Sequence, residues 1–193
     1  MLVNRKLWNR YSWNKRITGI KRNKFLVQDK KKAIFLDRDG TLNRDFGYVY
    51  RTEQLEILPG VVEALTIFRD AGFLLIVVTN QSGVGRGLYT KEDAAVFNKA
   101  LKRALEKNRI RIAKYYICYH APEEKCICRK PSPYLIYKAV KDFNIDMKTS
   151  FLFGDKESDT QCGENVPVAS FLITKDKSLL FWAEKLRNKN FEI

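Results

Sequence analysis

Two stretches of the chain, Ala33–Asp37 and Phe73–Thr79, are continuous apolar runs rich in β-branched and aromatic residues. Runs of that length without polar alternation predict strands covered on both faces. Between them, Pro59-Gly60 opens an apolar pattern at Val61, Val62, Leu65 and Phe68 that stops at Gly72, the mark of a crossover helix. Together they predict a βαβ unit. A second helix is expected from Ala94, Phe97, Ala100, Leu101 and Leu105, with Thr90 as N-cap and Asp93 three residues on. Farther along, Tyr115–Cys118 reads as a strand, Tyr134–Phe143 as a helix, Phe151–Phe153 as a strand ending at Gly154-Asp155, and Val168–Ile173 as a last strand. This alternation predicts an α/β fold with a doubly wound parallel sheet and no inserted cap domain.

In such sheets ligands bind beyond the carboxyl ends of the strands. Asp37 and Asp39, Thr79 and Asn80, the segment 118–130, and Asp155 all fall just after predicted strands. The chemistry is therefore expected along one edge of the sheet.

Length and charge add boundaries to this picture. The 193 residues, 45% of them hydrophobic, suit one compact domain. The net charge of +14 suggests a polyanion partner until its location is considered. Residues 1–32 hold eleven Lys/Arg against the single acid Asp29, so +10 of that charge belongs to the N-terminal stretch and only +4 to residues 33–193. The division expected is thus a basic, disordered extension over 1–32 and a catalytic domain over 33–193. Trp8, Tyr11, Trp13, Ile17 and Ile20 give the extension an alternative, a basic amphipathic helix touching anionic lipid or nucleic acid. It lacks the continuous apolar core of a secretory signal. The longest apolar run, Phe73–Val78, is far short of the roughly 20 residues a membrane span requires.

Three of the four cysteines cluster with the only histidine in Cys118–Cys128, which points to metal ligation in a reducing compartment and so to a cytoplasmic protein. Three thiolates and one imidazole, Cys118, His120, Cys126 and Cys128, suit a closed tetrahedral zinc site with no position free for substrate. A zinc there would fix the loop that carries Arg129 and Lys130. Cys162 is expected to be a core thiol.

Asp37 and Asp39 are the most informative pair. A carboxylate at the end of a buried strand can attack phosphorus to give an aspartyl-phosphate, and its neighbour two residues on can serve the leaving oxygen and the incoming water as acid and base. Thr79 and Asn80 offer donors to phosphoryl oxygens, Lys130 a cation, and Asp155 a further carboxylate. Magnesium is the natural metal for such oxygen ligands.

With Asp37-Arg38-Asp39-Gly40-Thr41, Thr79, Lys130 and Gly154-Asp155 in this order, the chain resembles the haloacid dehalogenase superfamily from Ala33 to about Ile173. The resemblance implies Asp37 as nucleophile, Asp39 as acid/base, and magnesium held by Asp37, Asp155 and the backbone carbonyl of Asp39. Leu36–Thr41, Asn43, Gly47-Tyr48-Val49, Thr79–Gly83, Arg86-Gly87 and Cys128–Pro131 further resemble the D-glycero-D-manno-heptose 1,7-bisphosphate 7-phosphatases, which make heptose for lipopolysaccharide or surface glycans. That likeness implies substrate contacts at Asp45, Phe46, Gly47, Tyr48, Thr79, Asn80, Gln81, Ser82, Arg129, Lys130 and Lys156. One departure is the five-residue spacer between His120 and Cys126, which resembles the related histidinol-phosphatase domain. The expected partner is a small sugar-phosphate substrate rather than nucleic acid, and the protein is expected to be a monomer. The alternatives are histidinol phosphate and, from another class, a polynucleotide 3′-phosphatase or nucleic-acid-binding zinc protein using the basic extension.

Overall fold

Successive side chains of β1 (Ala33–Leu36) point to opposite faces of the sheet, and all four are buried. This is why the run carries no polar position. Ile34 and Leu36 enter one core layer with Phe68, Leu101 and Ala183, while Ala33 and Phe35 enter a second with Ile136, Ala139 and Cys162. Burying a side chain such as Phe35, which has no exposed surface, contributes about 1.5–3 kcal/mol. The structure is a computed structural model that describes residues 29–188. Residues 1–28 of the expected basic extension lie outside the described residues; of its last four, Lys31 already joins the fold, its N–H donating to the Asn144 carbonyl at 2.9 Å and its carbonyl accepting from the Asp146 N–H at 2.8 Å.

The remaining strands and α-helices are α1 (Val61–Asp70), β2 (Leu74–Asn80), α2 (Ser82–Gly85), α3 (Lys91–Glu106), β3 (Ile112–Cys118), α4 (Tyr134–Phe143), β4 (Phe151–Gly154), α5 (Glu157–Glu164), β5 (Ala169–Leu172) and α6 (Leu179–Arg187). Every strand and long helix expected from the pattern is present. The third strand begins earlier than the reading, at Ile112, because alternating Ile112, Ala113 and Lys114 carry no continuous apolar signal. The Thr90 cap forms as expected: its hydroxyl accepts from the Asp93 N–H at 3.0 Å, and the Asp93 carboxylate accepts from the Thr90 N–H at 2.8 Å.

The five strands are parallel and ordered β3-β2-β1-β4-β5, with α1, α3 and α6 over one face and α4 and α5 over the other. The chain winds outward from β1 to β2 and β3, then returns to place β4 on the other side of β1. Between β1 and β4 the winding reverses, and there the adjoining loops part to leave a crevice. Asp37 follows β1 and Asp155 follows β4, so the topology brings both to this point. Among the described residues no further domain is inserted between the strands.

Candidate active site

Asp37 and Lys130 lie 93 positions apart in sequence and are both nearly inaccessible, with side-chain exposures of 7% and 2%. The Lys130 ammonium donates to Asp37 Oδ1 at 2.8 Å, to the Val78 carbonyl at 2.7 Å, and pairs with Asp159 Oδ1 at 2.5 Å. Burial works against its charge, but the pull of Asp37 and Asp159 outweighs it and raises the pKa above the ordinary lysine value. The backbone of Lys130 is fixed too. Asn80 accepts from its N–H at 3.1 Å and donates to its carbonyl at 3.3 Å, tying the end of β2 to the loop after the cysteines.

Asp37, Asp155 and Asp159 place carboxylate oxygens within 4.8 Å of one another. Gly40 makes this approach possible. Its φ is +79°, and a Cβ at that position would collide with the Asp155 carboxylate. Gly154 does the same for Asp159. Three carboxylates against the buried ammonium of Lys130 leave two negative charges in a cluster that is buried at Asp37 and Asp159 and half-buried at Asp155, and Lys156 beside Asp155 offsets them only in part. The Asp155 carboxyl responds: burial first, then the charges of Asp37 and Asp159, push it up to about 6. Its Oδ1 is buried without a hydrogen-bond partner. A hard divalent cation fits this donor set in charge and in ligand chemistry.

Asp39, also expected at the metal, turns its side chain away from that cluster. Its Oδ1 accepts from Arg38 Nε and Asn43 Nδ2, both at 2.9 Å, and its Oδ2 accepts from Arg38 Nη2 at 2.8 Å and Gln81 Nε2 at 2.9 Å. Only its backbone carbonyl is left to face a metal. Gln81 is itself fully engaged, donating also to Thr79 Oγ1 at 3.0 Å and accepting from Arg38 and from the Tyr89 hydroxyl. Burial pushes Tyr89 up to about 12, so its hydroxyl keeps the proton it donates. The side chain of Gln81 is therefore held rigidly at the edge of the site.

Beside these groups lies a cavity of about 230 Å³ lined by Asp39, Asp45, Gly47, Tyr48, Asn80, Gln81, Ser82, Tyr89 and Lys156. Lys156, at the start of α5, reaches across its mouth to Asp45 at 2.9 Å. Burial raises and the Lys156 bond and the Gly47 N–H lower the Asp45 pKa, the donors prevailing. Of the other expected contacts, Phe46 is 55% exposed and does not line the cavity, and neither does Arg129, whose Nη1 is buried without a partner. Sequence reasoning missed Asp159, Arg38 and Tyr89. Asp159 had a signal, its position four residues after Asp155. The other two are defined by neighbours distant in sequence.

Cys118, His120, Cys126 and Cys128 converge as well, all four ligand atoms lying within 4.8 Å of one another. The Cys128 Sγ is 3.3 Å from both Cys118 Sγ and His120 Nδ1, and Cys126 Sγ is 3.5 and 3.6 Å from the other two sulfurs. These separations are too long for disulfides and close to the roughly 3.8 Å edge of a tetrahedron with zinc–sulfur bonds of about 2.3 Å. Burial pushes the Cys118 thiol up; at Cys126 burial is outweighed, chiefly by the N–H of Cys128, by neighbouring thiols and by the N–H of Arg129, which bring it down to about 7. Cys162 is buried in α5 with its Sγ near the Ser132 carbonyl, as a core thiol should be.

The haloacid dehalogenase-like hydrolase family profile matches residues 3–166, most of the chain and all four signature segments. The chain belongs to this family. Among relatives, a D-glycero-beta-D-manno-heptose-1,7-bisphosphate 7-phosphatase of Helicobacter pylori is 44% identical over 143 residues, covering 74% of this chain and 83% of that protein. The D-glycero-alpha-D-manno-heptose-1,7-bisphosphate 7-phosphatase of Campylobacter jejuni is 38% identical over 148 residues, 77% of this chain and 85% of that one. Among solved structures, the D,D-heptose 1,7-bisphosphate phosphatase of B. bronchiseptica, complexed with magnesium and phosphate, matches with a TM-score of 0.76 and 25% identity, covering 82% of this chain and 99% of that chain. The family likeness extends through fold and signature segments alike, so the chain is a hydrolase with the parallel-sheet architecture of that family.

Proposed function

We propose that this phosphoric monoester hydrolase removes the 7-phosphate of a D-glycero-D-manno-heptose 1,7-bisphosphate, using Asp37 as nucleophile and Asp39 as acid and base. The observation that carries the reading is the double negative charge left by Asp37, Asp155 and Asp159 around Lys130, next to a polar cavity of sugar size. Lys130 holds Asp37 by Oδ1 and leaves the other oxygen to attack phosphorus. The Asp37 oxygen–phosphorus bond forms as the bond to the sugar oxygen breaks, and Asp39 supplies the proton to that oxygen. Asp39 then takes a proton from the water that splits the aspartyl-phosphate, returning Asp37 to its carboxylate. Lys130 and the Thr79 hydroxyl stabilise charge on the phosphoryl oxygens. When bound through Asp37, Asp155 and the Asp39 carbonyl, magnesium offsets the excess negative charge and polarises the phosphoryl group.

The naming of relatives at 37–44% identity supports the heptose substrate, with the alpha and beta anomers both represented. The sulfur and nitrogen spacings support zinc on Cys118, His120, Cys126 and Cys128, where it would fix the loop bearing Arg129 and Lys130. Phosphate release from both heptose bisphosphate anomers, histidinol phosphate and a 3′-phosphorylated oligonucleotide, with and without magnesium, tests the reading. One heptose anomer should be preferred by kcat/KM and turnover should need the metal. A higher kcat/KM for histidinol phosphate or the oligonucleotide would replace the substrate while leaving the chemistry.

A further inference from the structure

Arg38 stands between the two catalytic aspartates and is completely buried. Its guanidinium lies over the Phe97 ring at 4.5 Å from the centroid. Nε and Nη2 fork onto Asp39 at 2.9 and 2.8 Å; Nη2 also reaches the Val49 carbonyl at 2.6 Å and Gln81 Oε1 at 2.9 Å, while Nη1 donates to Asn98 Oδ1 at 3.0 Å. A buried guanidinium costs several kcal/mol unless such partners are provided. The fold provides them from the loop after β1, from β2's end and from α3.

The arrangement exceeds what burying one arginine needs. A two-pronged fork fixes the plane of a carboxylate as well as its position. Asn43 and Gln81 approach the same two oxygens, so all four acceptor positions of the ionised Asp39 are filled, and the acid form requires the Asn43 or Gln81 amide to yield one of them while the Arg38 fork keeps the carboxyl plane. A general acid works only when its oxygen lies within about 2.6–3.2 Å of the atom it protonates. Arg38 in turn cannot tilt, because Phe97 closes one face and Asn98 and Val49 hold its two ends. We infer that Arg38 is a positioning residue that sets the orientation of Asp39 toward the leaving oxygen, with Asn98 on α3 as its remote anchor. The inference rests on Asp39 acting as the acid/base.

A residue that orients the acid matters in proportion to how much the leaving group needs a proton. Heptose bisphosphate expels a sugar alkoxide and needs one; p-nitrophenyl phosphate expels a stable phenolate and does not. The quantity kcat/KM covers steps up to departure of the alcohol, so the later role of Asp39 as base does not enter it. Asp39→Asn should lower kcat/KM on heptose bisphosphate by about 10²–10⁴-fold and on p-nitrophenyl phosphate far less. Arg38→Lys, which keeps the charge and loses the fork, should show the same split, with a sugar-phosphate loss on the order of 10²-fold. Asn98→Ala, which leaves Arg38 in place, should show it more weakly, on the order of tenfold.

Equal losses on both substrates in Arg38→Lys and Asn98→Ala, with the split retained in Asp39→Asn, would overturn the positioning role and leave the acid/base reading standing. No split in Asp39→Asn would remove the acid role and this inference with it. Circular dichroism and unfolding midpoints check each variant. Should Arg38→Lys fail to fold, Asn98→Ala decides: a split supports the inference, while equal losses or none overturn it.

Discussion

Two groups of ligand-type side chains gather at the same end of the sheet, and they are built in opposite ways. The Cys/His group comes from eleven consecutive residues and forms a closed set of four. The carboxylate group is drawn from positions 37, 155 and 159, with Lys130 between them, and is left two charges short of neutral. A closed, local set suits a metal that braces the chain. An open, charge-deficient set assembled from several strand ends suits a metal that must share its coordination with a substrate. The difference separates holding the site from running the reaction.

Asp37→Asn gives the sharpest contrast, since it removes the nucleophile while sparing the sulfur cluster. Activity should fall on the order of 10⁴-fold or more with zinc content unchanged. Appreciable phosphate release by pure variant protein, free of deamidated material, would undo the assignment.

Lys130→Met comes next and tests whether the carboxylate group depends on its one ammonium. It should lower kcat by about 10²–10³-fold. Because a buried pair is left with uncompensated charge, it should also destabilise the metal-free protein by about 3–5 kcal/mol, with added magnesium restoring part of that. Denaturant unfolding measures both; an unchanged midpoint would mean the carboxylates do not need the lysine.

On the other side of the comparison, Cys128→Ser should release zinc, measured by elemental analysis, and cost about 10–100-fold in activity by displacing Arg129 and Lys130. Far-UV circular dichroism should still report the sheet. If protein purified without chelator contains no zinc, the closed set has another purpose.

Arg129→Ala should be milder, raising KM for a sugar bisphosphate by about tenfold and less for a small monophosphate, with kcat little changed. Equal effects on both substrates would take Arg129 out of substrate recognition.

The smallest effect concerns pH. In metal-free protein the Asp155 carboxyl, pushed up to about 6, binds its proton more tightly folded than unfolded. Its contribution to stability is therefore fully present below about pH 4 and is lost as pH rises through about 6. Parent and Asp155→Asn stabilities should diverge over that window, the parent losing ground, and saturating magnesium should offset the loss by binding the ionised form. A constant difference from pH 4 to pH 7 would argue against the charge cluster.

The cysteines and His120 were legible in sequence because their spacing is local; the chain cannot separate residues two positions apart. Asp37 and Asp155 were legible for another reason, each ending an apolar strand in a fold where strand ends meet. Asp159 was hidden because an acid in the first turn of a helix ordinarily just complements the helix dipole, and only the fold reveals that it faces Lys130. Gln81 was read as a substrate contact; it lines the cavity, and the fold adds that its side-chain amide is held by Arg38, Asp39, Thr79 and Tyr89.

By itself the sequence determined the strands, the helices α1, α3 and α4, the Thr90 cap, the Cys/His ligand set and two of the three clustered carboxylates, since each depends on periodicity or on neighbours a few residues away. Tertiary structure decided that β1 lies between β2 and β4, which carboxylates share one space, and that Arg38 is buried against Asp39. These are consequences of which apolar faces cover one another across the sheet. Burial energy of that kind is summed over residues far apart in the chain, so no local pattern encodes it.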